Sequence, residues 1–542
     1  MTIEPRIRAP GDSVSARCRR APAWPRRAAS ALVLAAVLWA LTAWPVVARA
    51  ASAPNAPSRR HATQHLTVDV HTGPAAAVIP ASFLGLSWET TSLESPSLSS
   101  PSPQLARLLR ALGPGLLRIS GVSVDRTRWS PPATAAAPWQ LTAIAPADLE
   151  HLGALMREST WRLLLGLDLG HLEAPALVQE DLAASALLGG SLAAVEIGNE
   201  PDLYTHAPSA PFRALLGVEH LRVPPWGIGQ YLAEITSLRA ALAAGGAAAP
   251  LYGPDTAGPA WMASYAQAQG RGLAALVAHY YPLDRCSGGR LLVHGASLQS
   301  LLGTRVAHNE QRLLRALMRL AAANALPLRI DEANSVACAG QPHVSDTFGA
   351  ALWALDFSLL AARQGASGIN FHGGVGQCGA GGIVSPWYSP LCALPDGQLH
   401  ARAEYYALLA LRSLEGCAFV PVTYSAPPDI AVFALRAPDG SLRVVIDDTQ
   451  LPQPRRRRQK AQPASPVTVT VSAPASYTKA SIVRLAAPAA SSIGGTTFGG
   501  AAVAPDGSFP GALSAPLAFA SGAFVAKLAP ASAAIVTLGE GH

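Results

Sequence analysis

Short apolar runs alternate with Ala/Leu-rich amphipathic stretches from residue 82 to about 372, and no other feature constrains the fold as strongly. The runs are Phe83–Trp88, Leu116–Ser120, Arg162–Asp168, Ala193–Gly198, Leu251–Pro254, Ala274–Tyr281, Leu328–Glu332 and Gly368–His372. Runs this short and apolar read as strands. The stretches between them read as helices. Gln104–Leu112 is stopped by Gly113-Pro114-Gly115, and Ile228–Ala244 by Gly245-Gly246. Eight strands alternating with helices predict an α/β fold, a (β/α)8 barrel, with a doubly wound sheet as the rival.

After about residue 414 the texture changes. Val420–Val422, Ile430–Leu435, Leu442–Ile446, Val467–Val471, Ser481–Leu485, Ala523–Leu528 and Ala534–Leu538 are β-branched or alternating runs divided by Pro, Gly and Asp turns. This is the pattern of an all-β sandwich. Leu66–His71 also reads as a strand and is expected to join it. The predicted organisation is a signal peptide over 1–50, a flexible lead-in over 51–63, an N-terminal strand of the β-domain over 64–80, a catalytic barrel over 81–413 and a β-sandwich over 414–542.

Half of the chain is hydrophobic and its net charge is only +7, which excludes intrinsic disorder. Eight arginines precede residue 51 against Glu4 and Asp12, so six of the seven net charges belong to the leader. Nucleic-acid binding is therefore not expected. The one basic cluster beyond the leader, Arg455–Arg458 with Lys460, is flanked by prolines and reads as a solvated loop. In the leader, Arg26-Arg27 precede an apolar stretch, Ala28 to Val47, and then Ala48-Arg49-Ala50. Basic, apolar and small-x-small parts make a secretory signal, expected to be cleaved after Ala50, with a membrane anchor as the alternative. Export and no membrane association after cleavage are expected. Cys18 would leave with the leader. The five remaining cysteines, Cys286, Cys338, Cys378, Cys392 and Cys417, allow at most two bridges and one free thiol, with connectivity open.

In a barrel, reactive groups gather at the C-terminal strand ends. Two glutamates end apolar strands there. Glu200 lies in Val195-Glu-Ile-Gly-Asn-Glu-Pro201 after the fourth strand, and Glu332 in Leu328-Arg-Ile-Asp-Glu-Ala-Asn-Ser335 at the seventh. Glycoside hydrolysis needs such a pair: one carboxyl protonates the leaving oxygen, while the other attacks the anomeric carbon or activates water. Other motifs fail. Gly374-Val-Gly-Gln-Cys-Gly379 has the spacing of a dinucleotide loop, but the residues that follow read as loop rather than helix. His171, His279 and His372 lack a helical metal-ligand spacing, so no metal is expected, and no cofactor is needed. No G-x-S-x-G elbow is present.

Asn-Glu-Pro after strand four and Glu after strand seven resembles the pattern of the retaining clan A glycosidases. Further pieces narrow the resemblance: Gly85-Leu-Ser-Trp-Glu89, Leu117-Arg-Ile-Ser-Gly121 with Asp125 and Trp129, His279-Tyr-Tyr-Pro282, Val344-Ser-Asp-Thr-Phe-Gly-Ala-Ala-Leu-Trp353, Asn370-Phe-His-Gly-Gly374 and Glu404-Tyr-Tyr406. Together they resemble the bacterial β-glucuronidase branch of the heparanase-like glycoside hydrolase family 79, over roughly residues 64–540. The resemblance implies a barrel plus a β-sandwich built from both chain ends, with Glu200 as acid/base and Glu332 as nucleophile. Tyr281 is expected to hydrogen-bond the nucleophile, and Asn199 the sugar 2-hydroxyl. Glu89, His279, Asn370, His372 and Tyr388 are expected to contact the sugar. The expected partner is a glucuronide or a glucuronate-containing glycan. Relatives usually carry Gly-Gly-Asn where this chain has Ser120-Gly121-Val122. They often place a tyrosine and glycines where Val336-Ala-Cys-Ala-Gly340 stands. Tyr388 or His343 would then have to supply donors to the uronate. The alternatives are a clan A enzyme for xylosides, glucosides or arabinofuranosides, and a non-catalytic carbohydrate-binding protein on the same fold.

Overall fold

The computed structural model describes residues 64–74, 76–131, 137–208, 212–217, 220–286, 296–452, 464–520 and 523–541. The leader, the lead-in and the Arg455–Arg458 cluster with Lys460 lie outside the described residues. Eight parallel strands close into a barrel: β1 (Leu84–Glu89), β2 (Leu116–Ser120), β3 (Arg162–Leu167), β4 (Leu192–Ile197), β5 (Leu251–Gly253), β6 (Leu273–Tyr280), β7 (Leu328–Ala333) and β8 (Gly368–Gly373). They follow one another round the barrel in chain order, so the doubly wound alternative does not hold. Every residue of β1, β2, β4, β7 and β8 is buried, because the barrel interior takes one face and the helices the other. That double burial is why these strands read as continuous apolar runs rather than as alternating ones.

The β-rich region is a two-sheet sandwich. One sheet runs in the order Val422–Ser425, Gln64–Val70, Val467–Ser472, Ala523–Leu528 and Phe519–Ala520. The N-terminal strand therefore pairs in register with segments some 350 to 400 residues later, Thr67 with Ser425 and Leu66 with Val469. The other sheet contains Ala418–Val420, Ile430–Arg436, Leu442–Asp448, Ser532–Glu540 and Tyr477–Ala486. The sequence run Val420–Val422 proves to be two strands in different sheets. Pro421 between them has no N–H to donate, so one ladder ends there and the other begins.

This second sheet is buried on both faces. Val432, Val444, Ile446 and Val536 face the sandwich interior with Leu66, Val68 and Val469. Phe433, Leu435, Val445 and Ile535 point the other way and join the barrel core. The helix Phe348–Gln364, buried along almost its whole circumference, lies against that outer face. Cys286–Cys338 and Cys378–Cys392 are bridged, and Cys417 is a buried free thiol. Cys378 sits in the glycine-rich segment after β8, which forms a loop with no helix behind it, as a dinucleotide site would require. No helix among the described residues is long and apolar enough to cross a membrane.

The helix Thr304–Ala323 buries Glu310 against the ring N–H of Trp353, which donates to it at 2.8 Å, and the Tyr280 hydroxyl at 3.4 Å. Burial pushes this carboxyl from 4.5 up to about 8. Between those values the folded protein holds a proton that the unfolded chain releases, so stability falls as pH rises, by at most about 1.4 kcal/mol per pH unit. Glu310→Gln keeps an acceptor without the charge. Its melting temperature should exceed the wild type's at pH 8 and match it near pH 4. A gap independent of pH in thermal unfolding curves would contradict the assignment.

Candidate active site

The fourth strand ends at Ile197, and the chain then turns sharply through Gly198, Asn199 and Glu200. Glu200 itself is left-handed (φ 51°, ψ 52°), a conformation that costs a non-glycine residue about 1 kcal/mol or more. Two things hold it there. Pro201 disfavours the right-handed helical alternative for its predecessor. The Glu200 N–H donates to the carbonyl of Asp255, 2.7 Å away, and Asp255 is also left-handed at φ 61°. On β7 the pairing slips at Asp331–Glu332 against both neighbouring strands. Such a bulge breaks the strict in-out alternation. Asp331 and Glu332 consequently both reach Arg118 inside the barrel, at 3.8 and 2.9 Å.

Arg118, midway along β2 and wholly buried, is the hub of the site. Its Nη1 donates to Glu332 Oε2 (2.9 Å) and Ser87 Oγ (3.0 Å). Its Nη2 donates to both oxygens of Asp255 (2.8 and 2.9 Å) and to Asn199 Oδ1 (3.0 Å). Its Nε donates to Glu196 Oε2 at 2.7 Å. One guanidinium thus fixes the nucleophile candidate and the turn that carries Glu200. Around it, the Tyr281 hydroxyl donates to Glu332 Oε1 at 2.8 Å. His279 lies between Glu200 (Nδ1, 3.0 Å) and Asp255 (Nε2, 2.7 Å). The His372 Nδ1 is 3.7 Å from Glu332. The nearest oxygens of Glu200 and Glu332, with a His279 ring nitrogen, all lie within 4.8 Å of one another.

The two carboxyls are tuned in opposite directions. Burial alone would raise both. For Glu332, the charges of His372, His279 and Arg118, with the Tyr281 hydrogen bond, outweigh burial and hold it well below the ordinary carboxylate range. Glu200 stays above its ordinary value, because burial and the nearby Glu332 charge outweigh its hydrogen bond to His279. His279 is pushed well above the usual imidazole value: the charges of Glu332 and Asp255 overcome its desolvation. Arg118→Lys keeps a positive charge but loses the planar fork, and one ammonium cannot serve five partners in these directions. We expect kcat/KM on any glycoside the protein hydrolyses to fall about 10²-fold, equivalent to some 2–3 kcal/mol of lost charge-assisted hydrogen bonding. Glu332 would lose part of what lowers it, so the acidic limb of the pH profile should move toward neutrality. An unmoved limb would remove Arg118 from this role.

Glu89, Glu200, Tyr281, Glu332, His372 and Tyr388 line one cavity of about 330 Å³. Glu89 is held by the Ser123 amide (2.9 Å) and hydroxyl (2.7 Å). Gly121 lets it sit there: a Cβ at that position, already at φ +76°, would lie 2.5 Å from its carboxyl. A second cavity of about 370 Å³ adjoins the first and is lined by Asn199 and by Glu200 again. Thus Asn199 opens on the second lobe, where Asp125 holds its backbone N–H at 3.1 Å. His279 is buried beside Glu200.

Three expectations are corrected. His279 lines neither cavity, and its two ring nitrogens are taken by Glu200 and Asp255 rather than left for the sugar. Asn370 does not reach either cavity: its side chain is sequestered lower in the barrel, accepting from Arg329 Nε (2.5 Å) and donating to the carbonyls of Leu86 and Leu116. His343 lines a different cavity, with Ala296–Gln299 and Ala489–Ser491. His171 stacks on Trp139 at 3.5 Å and pairs with Asp168. The residue that strand-end reasoning missed as a site residue is Arg118. Its signal was a lone basic residue inside the apolar run Leu116–Ser120. Arg329 has the same appearance in β7 but sits one residue from the strand start and serves backbone carbonyls of Ser82 and Phe83 instead.

No protein-family profile matches the chain. Over 244 residues it is 29% identical to a β-glucuronidase of Neurospora crassa, a stretch covering 43% of this chain and 41% of the relative. Over 202 residues it is 29% identical to a β-glucuronidase of Aspergillus niger, covering 36% of each. The matches thus span about two fifths of those relatives. Among solved structures, a 4-O-α-L-rhamnosyl-β-D-glucuronidase from Fusarium oxysporum superposes with a TM-score of 0.68 at 20% identity, covering 87% of this chain and all of that one. At that identity the likeness is one of fold, and it extends over the barrel and the β-rich region together.

Proposed function

We propose that the protein is a retaining β-glycosidase that hydrolyses β-glucuronides. The observation that carries the reading is the pair Glu200 and Glu332 in one cleft. Their nearest oxygens lie within 4.8 Å, and one carboxyl is held ionised while the other is raised. Retaining enzymes need roughly 5–5.5 Å between the carboxyl groups, whereas inverting ones need about 6.5–9.5 Å to admit water. Glu332 attacks the anomeric carbon as the bond to the leaving oxygen breaks, and Glu200 gives that oxygen its proton. The ester formed on Glu332 is neutral, so the charge that raised Glu200 disappears and Glu200 ionises more readily. It then takes a proton from the water that releases the sugar.

The choice of sugar is supported by the two fungal β-glucuronidases that resemble this chain. It is also supported by the loop after β7. Cys338, Ala339 and Gly340 are left-handed in succession (φ 67°, 65° and 77°), and Cys338 and Ala339 line the cavity that holds Glu332. Turns of this kind gather backbone N–H groups around an anion. The Arg285 guanidinium braces this turn through the Gly340 carbonyl. A uronate carboxylate placed there meets donors, with Tyr388 on the same wall. Buried donors left unpaired by a neutral sugar penalise it strongly. Aryl glucuronide should therefore be turned over about 10³-fold faster, in kcat/KM, than the matching glucoside, xyloside or arabinofuranoside. Equal rates across that panel would leave a clan A glycosidase of another sugar.

A further inference from the structure

We infer that the second lobe of the cleft receives the leaving group and selects an apolar, ring-sized aglycone over a further sugar; this rests on the glycosidase reading above. The position follows from the two carboxyls. Glu332 lines only the first lobe, whereas Glu200 lines both. The anomeric carbon must sit against Glu332 and the glycosidic oxygen against Glu200. Whatever that oxygen carries then extends past Glu200 into the lobe of about 370 Å³.

The chemistry follows from the walls. Leu203, Tyr204, Pro208, Phe212, Leu216 and Leu221 line this lobe. Its polar groups are Asn199, Glu200, Arg126, His206, the Tyr204 hydroxyl and Asp125, whose carboxylate is already taken by the N–H groups of Leu169, Gly170 and Asn199. A sugar has hydroxyls around its whole rim. Those facing Leu203, Pro208, Phe212, Leu216 and Leu221 would lose water without gaining partners. An aromatic or alicyclic group gains from the same burial. The wall is braced from behind. Arg222 stacks over Tyr204 at 5.6 Å and over Trp226 at 5.2 Å, and donates to the carbonyls of Leu169 and Gly170. The same segment leaves Leu203, Leu215 and Val223 exposed, at 42%, 46% and 74% of their surface. Leu203 is the one of these that lines the lobe, so a group bound there covers apolar surface otherwise left in water.

The test compares three β-D-glucuronides: methyl, 2-naphthyl, and a disaccharide with a neutral hexose as leaving group. Each is measured on the full chain, on Leu203→Ser and on Leu221→Ser. Dividing variant by wild type cancels the intrinsic reactivity of each leaving group. Leu203 is not part of the buried core, so its variant should fold, and thermal unfolding checks this. We expect kcat/KM for the naphthyl compound to fall about tenfold in each variant. The methyl compound and the disaccharide should fall less than threefold. An equal fall for all three, or a fall for the disaccharide as large as for the naphthyl compound, would overturn the inference. Failure of the wild type to cleave any glucuronide would overturn the sugar assignment alone. The lobe is then read with the same three leaving groups on the sugar that is cleaved.

Discussion

Glu332→Ala is expected to lower kcat by roughly 10⁴- to 10⁶-fold on every glycoside the protein accepts, whatever its leaving group. The loss should not depend on the leaving group, because the missing step is formation of the bond to the anomeric carbon. The substitution leaves the Arg118 Nη1 and the Tyr281 hydroxyl pointing into the vacated space. Two donors around a small hole suit a small anion. Added azide should restore turnover of an activated aryl glycoside and give the α-configured glycosyl azide, since one inversion now replaces two. Proton NMR of the product reads the configuration directly. Activity within tenfold of the wild type would place the nucleophile elsewhere.

Glu200→Ala should behave differently. A leaving group that departs as a stable phenolate needs little protonation, so the first step survives with dinitrophenyl glycosides. With alkyl or sugar leaving groups, kcat/KM should fall about 10²- to 10⁴-fold, the usual worth of a positioned general acid. Azide should now yield the β-configured product, because Glu332 still forms its ester and azide attacks the opposite face. The pH profile gives a separate sign check. Glu332, held low by His372, His279, Arg118 and Tyr281 against burial, must be ionised, so activity falls as pH drops through its value. Glu200, raised by burial and by Glu332, must be protonated, so activity falls as pH rises through its value. The alanine variant should lose the alkaline limb and keep the acidic one. Equal losses on good and poor leaving groups would reverse the assignment of roles.

The tuning has a structural cost that the fold distributes. Asp331 and Glu196 lie beside Arg118 with no water access, and burial together with mutual charge pushes Asp331 well above the carboxylate range. The pocket under Glu332 is therefore not a simple set of ion pairs. It is a cluster in which Arg118 and the raised His279 face Glu196, Asp255, Asp331 and Glu332, and Asp331 is the carboxyl pushed toward its protonated form. This follows from burial: an unpaired carboxylate at zero exposure is far costlier than a protonated one.

The sequence by itself determined the barrel, because its strands are buried on both faces and a doubly buried strand has no polar side to hide its pattern. Strand ends were legible to within a residue or so for the same reason; Leu116–Ser120, for example, was read without change. Glu332 was legible as a carboxyl near the end of an apolar strand, and Glu200 as one in the turn directly after another, where no core position explains a carboxyl. The sheet partners of Gln64–Val70 were beyond reach, since nothing local to that strand records a register with residues 422–425 and 467–472. The same limit explains Asn370 and Arg118. Both are polar residues in buried strands, and sequence position does not reveal depth along the barrel axis. Tertiary structure decides depth: the stagger of neighbouring strands sinks Asn370 to the backbone carbonyls of Leu86 and Leu116, and lifts Arg118 to meet Glu332. A side chain's type and spacing are local facts, whereas the set of groups it meets depends on how seven other strands are registered against its own.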